Sequence, residues 1–409
     1  MSGARAPLAD RWSPVSPVYG TTERDDVELA RRWREQPERW RERTTVAAFE
    51  EAFAAWNRSH RAVAFESGRV ALSAAFEALK LEPGAEVVVP GYTCVVVPNA
   101  IRFAGLIPVF ADIELETYGL DAQALERAIT PRTRAVVLQH LYGLVSRDYE
   151  RALSHARRLG LVVIEDCAQA MGAQWKGANV GTRGDIGIYS TERSKVISSA
   201  QGGIAVTNQP DLASQLAHLA ERAGPPDAAH VRRLLDVVPL LYRQGHSRGI
   251  VRGNPWARQH RAGRIYPTTT AAEARGERPG DYGRAMSAPA AALALNQLGK
   301  IERFTHRRRA AATVWDEWCH RTGHALPLIV QDSAPVFLRY PVLVDPERKR
   351  RRDWAVRELG VDLGVWFTGK LHPVDPELPS VRNADRAVAR CVNFPTLLPE
   401  DERWLAEAS

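Results

Sequence analysis

Between about Ala47 and Asn208, short β-branched apolar runs take turns with stretches of helical spacing, and this alternation limits the folds open to the chain. Ala62–Phe65, Glu86–Val89, Ile107–Phe110, Ala135–Leu138 and Leu161–Ile164 read as strands buried on both faces. Val70–Leu79, Leu120–Ile129 and Tyr149–Leu159 read as helices between them. Strand and helix in that order predict an α/β fold: a mostly parallel sheet covered by helices, with ligands near the carboxyl ends of the strands.

The flanking segments read differently. Residues 1–45, with Trp12, Trp33 and Trp40 among Arg and Glu, form an arm that packs on the body or on a partner subunit. Residues 46–224 make the large domain. Residues 225–284 read as a basic insertion or mobile loop, with only a short apolar stretch at Leu234–Leu241 and with Arg248, Arg252, Arg258, Arg261 and Arg264 as a possible clamp for a diphosphate. Residues 285–409 read as a small α+β carboxyl-terminal domain, with a helix over 288–309 and a strand over Phe337–Val344.

Composition narrows the classes. With 409 residues, 45% hydrophobic and 25% charged, the chain is globular and large enough for more than one lobe. Its longest nearly apolar stretch, Val87–Ile101, is broken by Pro90, Gly91 and Pro98 and falls short of the ~18 residues of a membrane helix. The polar amino terminus carries no apolar signal region, so the expected compartment is the cytoplasm. Cys94, Cys167, Cys319 and Cys391 lie far apart without C-x-x-C spacing, and neither a disulfide framework nor a metal is expected.

Lys and Arg number 55 against 48 acidic residues, and nearly all the basic residues are arginine. The guanidinium fork suits carboxylate and phosphate, so small anionic partners are favoured. Nucleic acid is disfavoured, because Arg is matched by Glu in runs such as Arg31–Glu35, and Glu347–Arg352 reads as a solvated helix start.

One stretch carries chemistry. A predicted strand ends in Ile164-Glu165-Asp166-Cys167-Ala168-Gln169, and Ser190-Thr191-Glu192-Arg193-Ser194-Lys195 follows. An acid at a strand end and a lysine in a hydroxyl-rich turn suit pyridoxal phosphate: the amine forms a Schiff base and the acid keeps the pyridine nitrogen protonated. The spacing alone also admits an Asp166 that caps a loop and a solvated Lys195.

Together with Val89-Pro90-Gly91-Tyr92-Thr93-Cys94, Pro108–Asp112, His140-Leu141-Tyr142-Gly143 and Gly202–Asn208, this stretch resembles the DegT/StrS-type sugar aminotransferases, a branch of the fold-type I pyridoxal phosphate enzymes. The resemblance implies a fold-type I transferase: a mostly parallel seven-stranded sheet between helices and a smaller α+β carboxyl-terminal domain. It also implies pyridoxal 5′-phosphate as cofactor, a homodimer, and amino transfer from glutamate or glutamine to a keto sugar carried on a nucleotide. Lys195 would be the Schiff-base and proton-transfer lysine, Asp166 the partner of the pyridinium, and Gln169 the partner of the phenolic oxygen. Ser190 and the amides of Gly68 and Arg69 would hold the phosphate, the amides at a helix start where an anion is favoured. His140 and His372, in family-like motifs, would line the substrate pocket with Tyr92.

Three positions depart from the family pattern. Arg69 stands where the family has Thr, and either adds a phosphate contact or turns outward. Cys94 holds the ring-stacking position, commonly aromatic, for which Tyr92 is an alternative. Arg284 stands near the place of the partner subunit's phosphate-binding Asn. Rival readings are a ketocyclitol aminotransferase, a pyridoxamine-dependent sugar dehydratase, which Lys195 argues against, and a non-catalytic regulatory or binding protein on the same scaffold.

Overall fold

The computed structural model describes residues 15–16, 20–246, 265, 267–280 and 282–398. In chain order its first strands are β1 (Arg61–Phe65), β2 (Glu86–Pro90), β3 (Thr93–Cys94), β4 (Ile107–Ala111), β5 (Thr133–Gln139), β6 (Val162–Asp166), β7 (Gln174–Trp175), β8 (Ala178–Asn179), β9 (Ile186–Ser190) and β10 (Gly203–Thr207). The helices of this part are α1 (Arg24–Arg34), α2 (Arg43–Asn57), α3 (Gly68–Ala78), α4 (Val96–Phe103), α5 (Ala122–Ala128), α6 (Tyr149–Arg158), α7 (Pro210–Arg222) and α8 (Ala228–His246).

Seven strands form one sheet in the order β1-β10-β9-β6-β5-β2-β4. Only β10 runs against its neighbours; β9, β6, β5, β2 and β4 are parallel. Alternation along the strands explains the two layers of helix. Ala62, Ala64, Val88, Val136, Leu138 and Val163 face one core with α2, α5 and α6. Val63, Phe65, Val87, Val89, Val137 and Ile164 face the other with α3, α4 and α7.

In α2, Val46, Phe49 and Phe53 recur at helical spacing and are fully buried. Phe53→Ala would cost about 3–5 kcal/mol through the cavity it leaves.

Two expectations are corrected. Strand β4 is not buried on both faces: it forms the sheet edge, with Ile107 45% exposed. Residues 228–246, read as loop, are helix α8, because Val231, Leu234, Leu235, Val238 and Leu241 make a buried stripe that runs past Pro239. The five arginines expected to clamp a diphosphate lie outside the described residues, as does Trp12. Helix α1 packs on α8 and on the Ala288–Leu298 helix, burying Trp33.

The carboxyl-terminal portion is α+β. The Ile301–Thr322 helix packs Trp315 and Trp318 against Trp354 and Phe394, beside the antiparallel pair Tyr340–Leu343 and Cys391–Phe394. Leu371–His372 runs parallel to β3, in register with Thr93 and Cys94. That pairing brings the late chain to the carboxyl ends of the main strands.

Candidate active site at the carboxyl edge of the sheet

Strands β1, β2, β5, β6 and β9 deliver their carboxyl ends to one cavity of about 260 Å³. Gly68 and Arg69 follow β1, Cys94 follows β2, and His140 follows β5; Asp166 ends β6 and Ser190 ends β9. All of these line the cavity, as do Gln169, Lys195 and His372. Nine of the expected site residues therefore meet in one place.

Asp166 accepts a hydrogen bond from the Ala168 amide at 3.0 Å. Burial raises its pKa above the ordinary carboxylate value, while the Ala168 amide, Lys195 and His140 act in the opposite direction. Lys195 sits in a turn closed by its own amide on Glu192 O at 2.9 Å, and the turn is held to the next strand by Thr191 N–H on Gly202 O at 3.0 Å. Burial lowers the lysine's pKa; Arg339 lowers it further, against the pull of Glu192 and Asp166.

Helix α3 begins at Gly68, so its first amides have no partners within the helix. A Cβ at Gly68 would stand 3.0 Å from Cβ of Ser190, and one at Gly203 would stand 2.3 Å from the Gly68 nitrogen. Only glycines let the helix start, Ser190 and β10 come this close. Gln169 accepts the Tyr142 amide at 3.0 Å through Oε1, which leaves its NH2 group as donor.

His140 is fully buried. Its Nε2 lies 3.2 Å from Glu165 Oε2, and its Nδ1 has no partner. Glu165 also receives Tyr149 OH at 2.7 Å and the amides of Gly181 and Arg183 at 2.8 Å each. His140, Glu165 and Cys167 cluster within 4.8 Å, yet the carboxylate oxygens are already filled by protein donors. His372 accepts from Thr368 at 3.0 Å and stacks on Phe367, and burial with Arg339 pushes its pKa down to about 4.

Two expected site residues are not brought to the cavity. Tyr92 is fully buried beneath it, its hydroxyl 3.0 Å from Tyr142 OH and accepting the Phe367 amide at 2.8 Å. It packs edge to face on Phe367 instead of offering a stacking surface of its own. Arg284 donates to Pro225 O at 3.1 Å and does not line its own chain's cavity. Arg69 turns its guanidinium to Glu273, so the side chain is engaged in an ion pair within the protein.

Sequence reasoning missed Arg339, Trp366, Phe367, Thr268 and Thr269, which also line the cavity. Arg339 carried a signal: it is a lone charge within the apolar run Val336–Val344.

Fold and site together define an α/β transferase of the pyridoxal phosphate type. The chain belongs to the DegT/DnrJ/EryC1/StrS aminotransferase family, whose model matches residues 23–400. The cofactor is pyridoxal 5′-phosphate. The donor set fits that group: a carboxylate, an amine, and a cradle of helix-start amides beside a serine hydroxyl all line the same cavity.

The chain is similar to the L-glutamine:2-deoxy-scyllo-inosose aminotransferase of Streptomyces kanamyceticus, 44% identical over 171 residues. That match spans 42% of this chain and only 40% of the relative. It is also similar to the GDP-perosamine synthase of Caulobacter vibrioides, 38% identical over 331 residues, 80% of this chain and 76% of that protein. Among solved structures, the GDP-4-keto-6-deoxy-D-mannose-3-dehydratase of E coli with bound hydrated PLP shares the fold, with a TM-score of 0.74 at 17% identity, covering 97% of this chain and all of that one. No helix among the described residues is long and apolar enough to cross a membrane.

Proposed function

We propose that this protein is a pyridoxal phosphate aminotransferase that moves an amino group from glutamate or glutamine to a keto sugar carried on a nucleotide. The observation that carries the reading is Asp166 and Lys195 at the wall of one cavity with Ser190 and the α3 amides. Similarity to a GDP-perosamine synthase over most of both chains supports the nucleotide-linked acceptor. We further propose that the enzyme acts as a cytoplasmic homodimer, in which Arg284 serves the partner's cavity; the four free cysteines suit a reducing compartment.

Bound in the cavity, pyridoxal phosphate supplies an electron sink that weakens the bond between the donor's α-carbon and its hydrogen. Lys195 Nζ takes that proton and returns it, and burial together with Arg339 favours the neutral amine this requires. Asp166 holds the ring nitrogen in its protonated form. Ser190 Oγ and the amides of Gly68 and Arg69 bind the phosphate, where the helix dipole favours an anion. The Gln169 NH2 group donates to the phenolic oxygen. Cys94, His372 and His140, which Glu165 fixes, line the same cavity and would complete the wall around the cofactor and the acceptor.

A second reading, a free ketocyclitol acceptor, is favoured by the higher identity to the inosose aminotransferase over its 171 residues. The test is the visible spectrum of protein with pyridoxal phosphate, before and after glutamate or glutamine, alongside Lys195→Ala. A lysine-dependent cofactor band that bleaches with the donor is expected, and acceptors that restore it choose between the two readings. A wild-type protein without the band would replace both with a non-catalytic binding role.

A further inference from the structure

The cavity wall holds a positive charge to which no carboxylate among the described residues is bonded. Arg339 is 1% exposed, yet lines the cavity. Its Nε has no hydrogen-bond partner, and among the described residues no carboxylate forms an ion pair with it. Glu192, whose charge reaches Arg339, is itself paired with Arg193 at 3.3 Å. A second buried arginine, Arg308, stands close by, donating to Leu338 O at 3.0 Å and Thr396 Oγ1 at 2.9 Å. Two guanidinium groups thus share one buried region in which, among the described residues, no carboxylate is bonded to either. Burial pushes the pKa of Arg339 down to about 10, which still leaves it charged at neutral pH.

A buried charge without a counter-ion is costly, and it is retained where a ligand supplies the opposite charge. The plane of the guanidinium is fixed: its carbon lies 3.7 Å from the centroid of the Trp366 ring. Stacking covers the flat face and leaves the N–H edge, which matches the two oxygens of a carboxylate. Arg339 also lies within electrostatic reach of Lys195 and of His372 in the same cavity.

We propose that Arg339 is the receptor for the α-carboxylate of the amino donor, seating it on the Trp366-backed guanidinium so that the adjoining α-carbon faces Lys195. This rests on the aminotransferase reading above. The α-carboxylate is the one anionic group that glutamate and glutamine share, so a single arginine serves either donor. The acceptor needs no such group, and the same cavity handles donor and acceptor in turn.

Glutaramate, which is glutamine without its amine, tests the assignment by calorimetry on the cofactor-loaded protein, with the uncharged glutaramide as its control. Wild type is expected to bind glutaramate and to bind glutaramide at least about 10-fold more weakly. Arg339→Gln, with its cofactor band intact, is expected to lose about 10-fold or more in glutaramate affinity, and Arg339→Lys to fall between. Equal binding of the two analogues by wild type overturns the proposal even if Arg339→Gln fails to fold. So does a variant that keeps glutaramate affinity but loses that for a nucleoside diphosphate, which would assign the arginine to the acceptor. A wild type without any cofactor band sinks the aminotransferase reading instead. The glutaramate comparison, made then by thermal shift, still decides whether Arg339 holds a carboxylate.

Discussion

The guanidinium of Arg69 meets both carboxylate oxygens of Glu273, a residue 204 positions further along the chain whose side chain is 2% exposed. The pair ties the start of α3 to the turn at 271–274, and Asn99 joins by donating to Glu273 O at 2.7 Å. Glu273→Ala leaves the arginine beside an empty place and should destabilise the protein by about 3 kcal/mol, measured by urea unfolding. An unchanged midpoint would mean that the pair contributes nothing net.

Glu165 gives a prediction in pH. Burial favours its neutral form, but hydrogen bonds from His140 and the Gly184 and Gly181 amides outweigh this and hold its pKa below the ordinary carboxylate value of 4.5. The folded carboxyl therefore binds its proton less readily than the unfolded one. Its contribution to stability is whole above pH 4.5 and is lost as pH falls through the lower folded value. Thermal melts between neutral pH and acid should show wild type losing stability more steeply than Glu165→Gln; parallel curves would refute this.

Tyr92 separates structure from chemistry. Its hydroxyl is bonded to Tyr142 and to the Phe367 amide below the cavity floor. Tyr92→Phe should cost about 1–2 kcal/mol in denaturant unfolding and leave the cofactor band in place. Loss of the band at unchanged stability would return Tyr92 to the ligand wall.

Asp166→Asn removes the charge proposed to hold the ring nitrogen protonated while keeping its shape. Donor-driven bleaching of the cofactor band should slow by about 100-fold or more, with the fold unaffected. Wild-type rates in a stopped-flow trace would dismiss the assigned role.

The residues legible in sequence were those with a local signature. Asp166 and Ser190 end apolar strands, Lys195 follows Ser190 at fixed spacing, and Gly68 opens a helix pattern. Arg69 found its partner through a tertiary contact that no nearby residue foretells. Tyr92 follows Gly91 after β2 ends, where the period of two no longer dictates side-chain direction. Helix α8 was hidden by Pro239 and paired arginines, although its stripe from Val231 to Leu241 was present in the sequence. Trp366 and Phe367 reach the cavity only because the late chain folds back onto β3.

That return has a consequence for engineering. Leu371 and His372 dock on Thr93 and Cys94 by main-chain pairing, which is indifferent to the side chains on either strand. The segment from 368 to 374, past the Trp366 that backs Arg339 and the Phe367 that packs on Tyr92, is thus a natural seam for chimaeras. A donor sequence of equal length that preserves the two-residue register can be grafted there, changing what the wall presents while the carboxylate and amine beneath it stay where β6 and the Lys195 turn hold them.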